Sequence, residues 1–188
     1  MTTSTTTILK PNVTLAAATR ALKGPLREFR RGRLAMVLDF YVPYRIFQLT
    51  LTNDNKTAGQ FLGIDAVTGA LDPYAFDYLP AKDERRIISS DRICKTAISD
   101  VCALEIAEER IKRGLYTRGF FKIKDPQVKG VYLETLHIPY WIGLYRREDQ
   151  VTIEVLNAVR GLYEGAKVRE IIAGWFASSR NRKVETNA

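Results

Sequence analysis

The sequence contains few of the side chains that usually bind metals or form disulfides. It has one histidine, His137, and two cysteines, Cys94 and Cys102. Two thiols and one imidazole make a poor ligand set for a structural metal. Both cysteines fall in a segment that we predict to be one helix, about 12 Å apart along its axis, whereas a disulfide needs Cα atoms within about 7 Å. We therefore expect no metal, no disulfide and no cofactor, with the thiols as small core-filling groups.

Signals for export and for membrane insertion are missing as well. The N-terminal stretch MTTSTTT is polar and lacks the basic and apolar regions of a secretory signal. No run of roughly 18 apolar residues is present, so the sequence predicts no spanning helix. We expect a cytoplasmic protein in which residues 1–10 form a disordered leader, because low-complexity polar segments bury too little apolar surface to fold.

Recognisable catalytic motifs are also lacking. The glycines do not form the G-x-G-x-x-G pattern, and no G-K-[ST] follows a glycine-rich turn. His137 has no recognisable nucleophile with it. Asp39 and Glu134 lie four or five residues before their Pro-Tyr pairs, which favours a shared structural role over acid–base catalysis. We predict no catalytic residue. The other carboxylates considered are Asp65, Asp72 and Asp77.

The most informative feature is a pair of similar segments, GIDAVTGAL at 63–71 and EVLNAVRGLYEG at 154–165. Pro43 stands 26 residues before the glycine of the first turn, and Pro139 stands 22 residues before that of the second. The difference fits in a hairpin loop, where insertions are tolerated. Both copies repeat the order helix, basic connector, Pro-Tyr strand, hairpin and Ala-Val-x-Gly turn. This order predicts a duplicated unit; the alternative is chance similarity between short hairpins.

The sequence therefore predicts an α+β fold, with two related helix-plus-antiparallel-hairpin units packed into one compact body. The first unit spans 11–72 and the second spans 91–164, and a packed connection at 73–90 joins them. The pattern of apolar residues predicts a C-terminal amphipathic helix over 165–180, followed by a frayed tail at 181–188.

The helix of the second unit is predicted to begin near residue 91. Ser90 or Asp91 is a suitable N-cap, and Gly114 is a plausible C-terminal stop. Between them, apolar residues keep an approximate helical stripe. These residues are Ile93, Ala97, Val101, Leu104, Ala107 and Ile111.

The first turn, Asp-Ala-Val-Thr-Gly at 65–69, resembles the turn that often ends the hairpin of PepSY-like domains, which are small α/β modules. In the second half, Asn157 replaces the acid and Arg160 replaces the threonine, while the alanine, valine and glycine match. The resemblance implies a non-catalytic binding or inhibitory module in tandem duplication. It identifies no active residue.

Basic residues suggest a partner. The chain has 29 basic and 21 acidic residues, a net charge of +8, which favours nucleic acid, anionic lipid or an acidic protein. Aromatic residues interleave the second basic connector, a pattern that suits base stacking. The alternative is a solvated outer face. The candidate residues for binding an acidic partner are Arg27, Arg30, Arg31 and Arg33 in the first connector and Arg118, Lys122 and Lys124 in the second.

We therefore expect a non-catalytic binding or interaction module whose partner and oligomeric state the sequence does not identify. One alternative is a basic nucleic-acid-associated protein, and another is a small-ligand carrier or enzyme with a cleft between the repeats. The C-terminal helix carries Trp175 and Phe176 beside Lys167 and Arg169. That combination suits contact with a membrane surface, although a helix that covers the sheet has the same pattern.

Overall fold

The computed structural model describes residues 3–53, 56–117 and 127–185. Within these ranges the chain forms four α-helices and a seven-stranded, mostly antiparallel sheet, so the predicted α+β class is confirmed. None of the described helices combines the length and apolar character needed to cross a bilayer. The strands are β1 (Ser4–Leu9), β2 (Arg33–Asn53), β3 (Lys56–Asp65), β4 (Tyr74–Phe76), β5 (Arg85–Ser90), β6 (Gln127–Arg147) and β7 (Gln150–Asn157). The helices are α1 (Leu15–Leu22), α2 (Pro25–Arg31), α3 (Asp100–Thr117) and α4 (Ala166–Glu185).

The two longest strands, β2 and β6, pair antiparallel at the centre of the sheet, in the order β4-β3-β2-β6-β1-β5, and β7 also pairs with β6. Val42 is the direct partner of Ile138. Each of these residues immediately precedes the proline of a Pro-Tyr pair, so the two strands pair in a register that aligns equivalent positions. The hydroxyl oxygens of Tyr44 and Tyr140 lie 3.2 Å apart in the buried core.

The hairpins β2–β3 and β6–β7 end in turns with the same local geometry. Tyr44 pairs with Asp65, and Tyr140 pairs with Asn157. In each turn, the Oδ1 atom of the Asp or Asn accepts hydrogen bonds from the backbone N–H groups two and three residues later. The closing glycine has a φ of +69° in the first turn and +70° in the second, a conformation that glycine adopts without steric cost.

The N-terminal segment is a strand rather than the disordered leader that the sequence predicts. β1 pairs antiparallel with β5 along its whole length, and Ile8 also forms a parallel pair with His137 of β6. Ile8 is fully buried. The β-branched threonines favour an extended chain, and the pairing with β5 and β6 supplies the burial that the polar leader lacks by itself.

The second-unit helix begins later than the sequence predicts. Residues 91–99 contain no helix, because Arg92 and Cys94 pair with β2: the Tyr41 N–H donates to the Arg92 carbonyl at 3.1 Å, and the Cys94 N–H donates to the Tyr41 carbonyl at 2.9 Å. Ser99 caps α3 instead, and its Oγ accepts from the Cys102 N–H. The two cysteines are therefore not in one helix; Cys94 is buried, Cys102 is exposed and both are free thiols. α3 also passes the predicted stop at Gly114.

Helices cover both faces of the sheet. On one face, α4 packs on the centre of β2 and β6, and the Trp175 and Phe40 rings meet edge to face with centroids 5.2 Å apart. On the other face, α3 covers β2 and β3. On that same face α1 lies on β6. The Leu22 side chain packs over Gly143, and the Tyr145 hydroxyl donates to the Leu22 carbonyl. α4 continues to Glu185, so part of the predicted frayed tail is helical.

Candidate functional site

The candidate site is built around the short helix α2, in the first basic connector. Pro25 occupies the first turn of α2, where its missing N–H costs no hydrogen bond. Gly32 ends the helix with a φ of +93°. A Cβ atom at Gly32 would lie 2.4 Å from the Arg146 carbonyl oxygen, so only glycine lets the chain pass the end of β6 and enter β2. This close passage places α2 against the end of β6 and beside β7.

The inner side of α2 is charged. Glu154 of β7 is only 4% exposed, and its carboxylate contacts three guanidinium groups. The Nη1 of Arg27 lies 3.1 Å from Oε2, the Nη2 of Arg31 lies 2.6 Å from Oε1, and the Nη1 of Arg169 lies 3.4 Å from Oε1. A buried carboxylate needs such partners, because an unpaired buried charge is very costly. Glu154 therefore ties α2 and α4 to the sheet.

Further contacts hold this charged cluster in place. The Arg27 guanidinium lies over the Tyr163 ring, 3.7 Å from its centroid. The Tyr163 hydroxyl donates to the Ala21 carbonyl at 2.9 Å, which links the ring to the end of α1. The Thr152 hydroxyl donates to the Arg31 carbonyl at 3.4 Å. Arg27 and Arg31 are thus positioned by protein contacts, although each side chain keeps about a third of its surface exposed.

The outer side of α2 carries exposed apolar groups. Phe29 is 81% exposed and Leu26 is 64% exposed. Together with Arg30 they occupy positions i, i+3 and i+4, which form one face of a helix. The usual arrangement of a surface helix is therefore reversed, since its arginines at 27 and 31 face a buried acid and its largest apolar side chain faces solvent.

Unpaired arginines border this outer face. The side chains of Arg30 and Arg33 are exposed and make no hydrogen bond or ion pair with another described residue. Arg33 pairs directly across the sheet with Arg146, which is also exposed. Like charges at directly opposed positions destabilise a sheet, so stability does not account for this pair. We call Leu26, Phe29, Arg30, Arg33 and Arg146 the α2 surface.

A depression of about 300 Å³ lies beside the α2 surface. Its lining is mainly apolar and includes three arginines, two of which also contact Glu154. Its lining consists of Gly24, Pro25, Leu26, Arg27, Arg30 and Arg31.

The structure divides the predicted binding residues into two kinds. Arg27 and Arg31 have structural contacts with Glu154, whereas the exposed side chains of Arg30 and Arg33 have no hydrogen-bond or ion-pair partner among the described residues. The other candidates, Arg118, Lys122 and Lys124, lie outside the described residues. Sequence reasoning missed Glu154 and Phe29. The available signal for Glu154 is its position in β7, where an acid stands between the apolar residues of a strand. That position is buried in the structure.

Three of the polar groups considered for catalysis have structural partners. His137 is buried beside Thr6, whose Oγ1 lies 2.9 Å from Nδ1, and burial lowers the pKa of His137 to about 4. Asp39 accepts hydrogen bonds from Tyr41 and Arg92, and Glu134 accepts one from Arg85. Across ranges 3–53, 56–117 and 127–185, no group of His, Cys, Asp or Glu side chains is arranged to hold a metal ion.

Comparisons with protein-family models, with curated proteins and with solved structures find no match to this chain.

Proposed function

We propose that this protein is a non-catalytic binding module, built from two PepSY-like units in tandem, that docks an acidic protein segment on its α2 surface. The observation that carries the proposal is the outward position of Phe29 and Leu26 on a helix whose other side is fixed to Glu154. Aromatic and arginine side chains provide most of the binding energy at protein interfaces. Here a largely exposed aromatic ring stands beside Arg30, whose side chain has no described partner.

Charge and shape favour a protein partner over the alternatives. Nucleic-acid interfaces are much more positively charged and more polar than protein interfaces, whereas the centre of the α2 surface is a phenylalanine and a leucine. A membrane-surface helix lays a long apolar face on a bilayer, but α2 has seven residues and borders a depression. An acidic segment with an apolar anchor complements both the apolar side chains and the arginines of the α2 surface.

The duplication supports a scaffold role for the rest of the chain. Val42 pairs with Ile138, and the turns at Asp65 and Asn157 share their hydrogen bonds and glycine conformations. Such matching is expected when two copies of one unit pair through their long strands. A single helix-plus-hairpin unit is marginal alone, and the second unit supplies the surface that buries its apolar face.

The proposal is tested by capture from a cytoplasmic extract, the compartment that we propose, followed by cross-linking. The test variant is Phe29→Ala/Arg30→Glu. The matched control is Ile87→Ala/Arg86→Glu, which makes similar changes at exposed residues of β5. We expect the test variant to lose an acidic protein that the wild type and the control both capture.

Three results would contradict this proposal. Equal capture by both variants would remove the α2 surface from the function. Capture of nucleic acid that weakens steeply as salt is added would favour the nucleic-acid alternative. If the wild type and the control bind anionic vesicles and only the test variant does not, a membrane surface would be favoured as the partner.

A further inference from the structure

We infer that the depression beside α2 is a phosphate-recognition pocket, which receives a phosphorylated side chain of the docked segment. This inference rests on the proposed function, because it names the chemical group that the acidic partner presents. The volume of about 300 Å³ is at the lower end of the range of roughly 300–1,000 Å³ for small-ligand pockets. Such a volume suits one side chain rather than a large cofactor.

The charges around the pocket leave an excess that an anion can neutralise. Arg27, Arg31 and Arg169 share the single carboxylate of Glu154. Arg30 lines the same depression and has no ion pair with the described residues. The three arginines of the lining and the Glu154 carboxylate give a local charge of about +2. A phosphorylated side chain carries about −1.5 to −2 at neutral pH, so it balances this charge better than a carboxylate does.

The arginines have donors left for such a group. A guanidinium has five N–H donors, and the ion pair of Arg27 with Glu154 is made through Nη1 alone, as that of Arg31 is made through Nη2. Planar guanidinium groups bind phosphate oxygens in pairs, which gives both affinity and geometry. Because Glu154 and the Tyr163 ring hold Arg27 before any ligand arrives, less side-chain entropy is lost on binding.

The lining of the pocket also provides apolar contacts. Pro25 and Leu26 contribute carbon surface beside the arginines. Both side chains are exposed, so solvent screens the charges, and the affinity for an anion depends on the number of guanidinium donors. The pocket therefore differs from the exposed pair Arg33 and Arg146, which stands on an open strand end outside this lining.

The test is a titration of the purified protein with inorganic phosphate at constant ionic strength, followed by NMR or calorimetry, with acetate titrated in parallel. We expect saturable phosphate binding that is at least tenfold tighter than acetate binding. Arg30→Ala should weaken phosphate binding about tenfold or more, since hydrogen bonds to charged groups are strong. Arg30→Lys keeps the charge and should recover only part of the affinity, while Arg86→Ala on β5 should change nothing.

Failure of the phosphate pocket and failure of the docking surface give different results. Equal affinity for phosphate and acetate would identify a carboxylate pocket and overturn the inference, as would phosphate binding that Arg30→Ala leaves unchanged. Phe29→Ala separates this inference from the proposed function, because it removes the apolar anchor without altering the pocket lining. If Phe29→Ala abolishes partner capture but the protein does not bind phosphate, the docking surface stands and the phosphate pocket fails. If phosphate binds and Phe29→Ala leaves capture unchanged, the docking surface fails.

Discussion

Two neighbouring arginines of α2 should respond very differently to the same charge reversal. Arg31→Glu places a second carboxylate beside the buried Glu154, which Arg31 contacts at 2.6 Å. Arg30→Glu changes the net charge of the protein by the same amount on the solvent side of the helix. The sequence predicts that both arginines are exposed binding residues, whereas the structure gives only Arg30 that position.

The expected difference follows from burial and distance. Two like charges 4 Å apart repel by about 4 kcal/mol at an effective dielectric constant of about 20. The Glu154 side chain is 6% exposed and that of Arg31 is 37% exposed, so solvent screens part of this repulsion. Arg27 and Arg169 still contact Glu154 and offset another part. We expect Arg31→Glu to lower the free energy of unfolding by about 2–4 kcal/mol and Arg30→Glu by less than about 0.5 kcal/mol.

Urea unfolding followed by circular dichroism measures both values. An unchanged dependence of the free energy on urea concentration would show that each variant still unfolds as the same cooperative unit. If Arg30→Glu and Arg31→Glu are equally destabilising, the division of α2 into a structural and a free side is wrong. If neither has an effect, the contact with Glu154 does not hold α2.

Three further perturbations test other parts of the molecule. Tyr44→Phe or Tyr140→Phe alone should cost about 1–2 kcal/mol by leaving one buried hydroxyl unpaired, and the double variant should cost less than the sum in a double-mutant cycle. Trp175→Ala should cost about 2–3 kcal/mol in urea unfolding, below the usual range for a fully buried tryptophan because the ring is only partly buried. Between about pH 6.5 and pH 4, the unfolded chain binds a proton at His137 that the folded chain does not bind. The free energy of unfolding should therefore fall by on the order of 3 kcal/mol as pH is lowered through this range, and His137→Gln should reduce this pH dependence.

Much of the fold follows from local sequence patterns. The hairpins β2–β3 and β6–β7 form where strand-favouring runs end in turn residues, and the α+β class follows from the alternation of such runs with a helical stripe. Long-range pairing decides the parts that these patterns miss. β1 is a strand because β5 and β6 lie beside it, and residues 91–94 are extended because β2 offers its edge at Tyr41. A single sequence contains no direct record of such distant partners.

Of the candidate site, the sequence predicts the basic composition but not the orientation of its side chains. The density of arginine at 27–33 marks the segment as basic, but the sequence does not tell which arginines face inward. That division depends on Glu154, which is 127 positions from Arg27 in the chain. Helical periodicity places Arg27 and Arg31 on one face, and the usual rule would put Phe29 inward. The buried acid reverses that rule, because it can be paired only by turning the arginine face of α2 toward the sheet.

The two hairpins differ at one position in a way that bears on function. Since Asp65 and Asn157 occupy matching turn positions, Glu154 of β7 matches Leu62 of β3. Leu62 is buried under α3 with Ala103 and other apolar residues, as expected for the covered face of a sheet. An apolar residue at position 154 would serve stability at least as well, because replacing buried charge clusters by well-packed apolar groups is often neutral or stabilising. What the carboxylate adds is a set of fixed, partly exposed guanidinium groups beside α2, and such an arrangement suits the recognition of an anion on a docked partner.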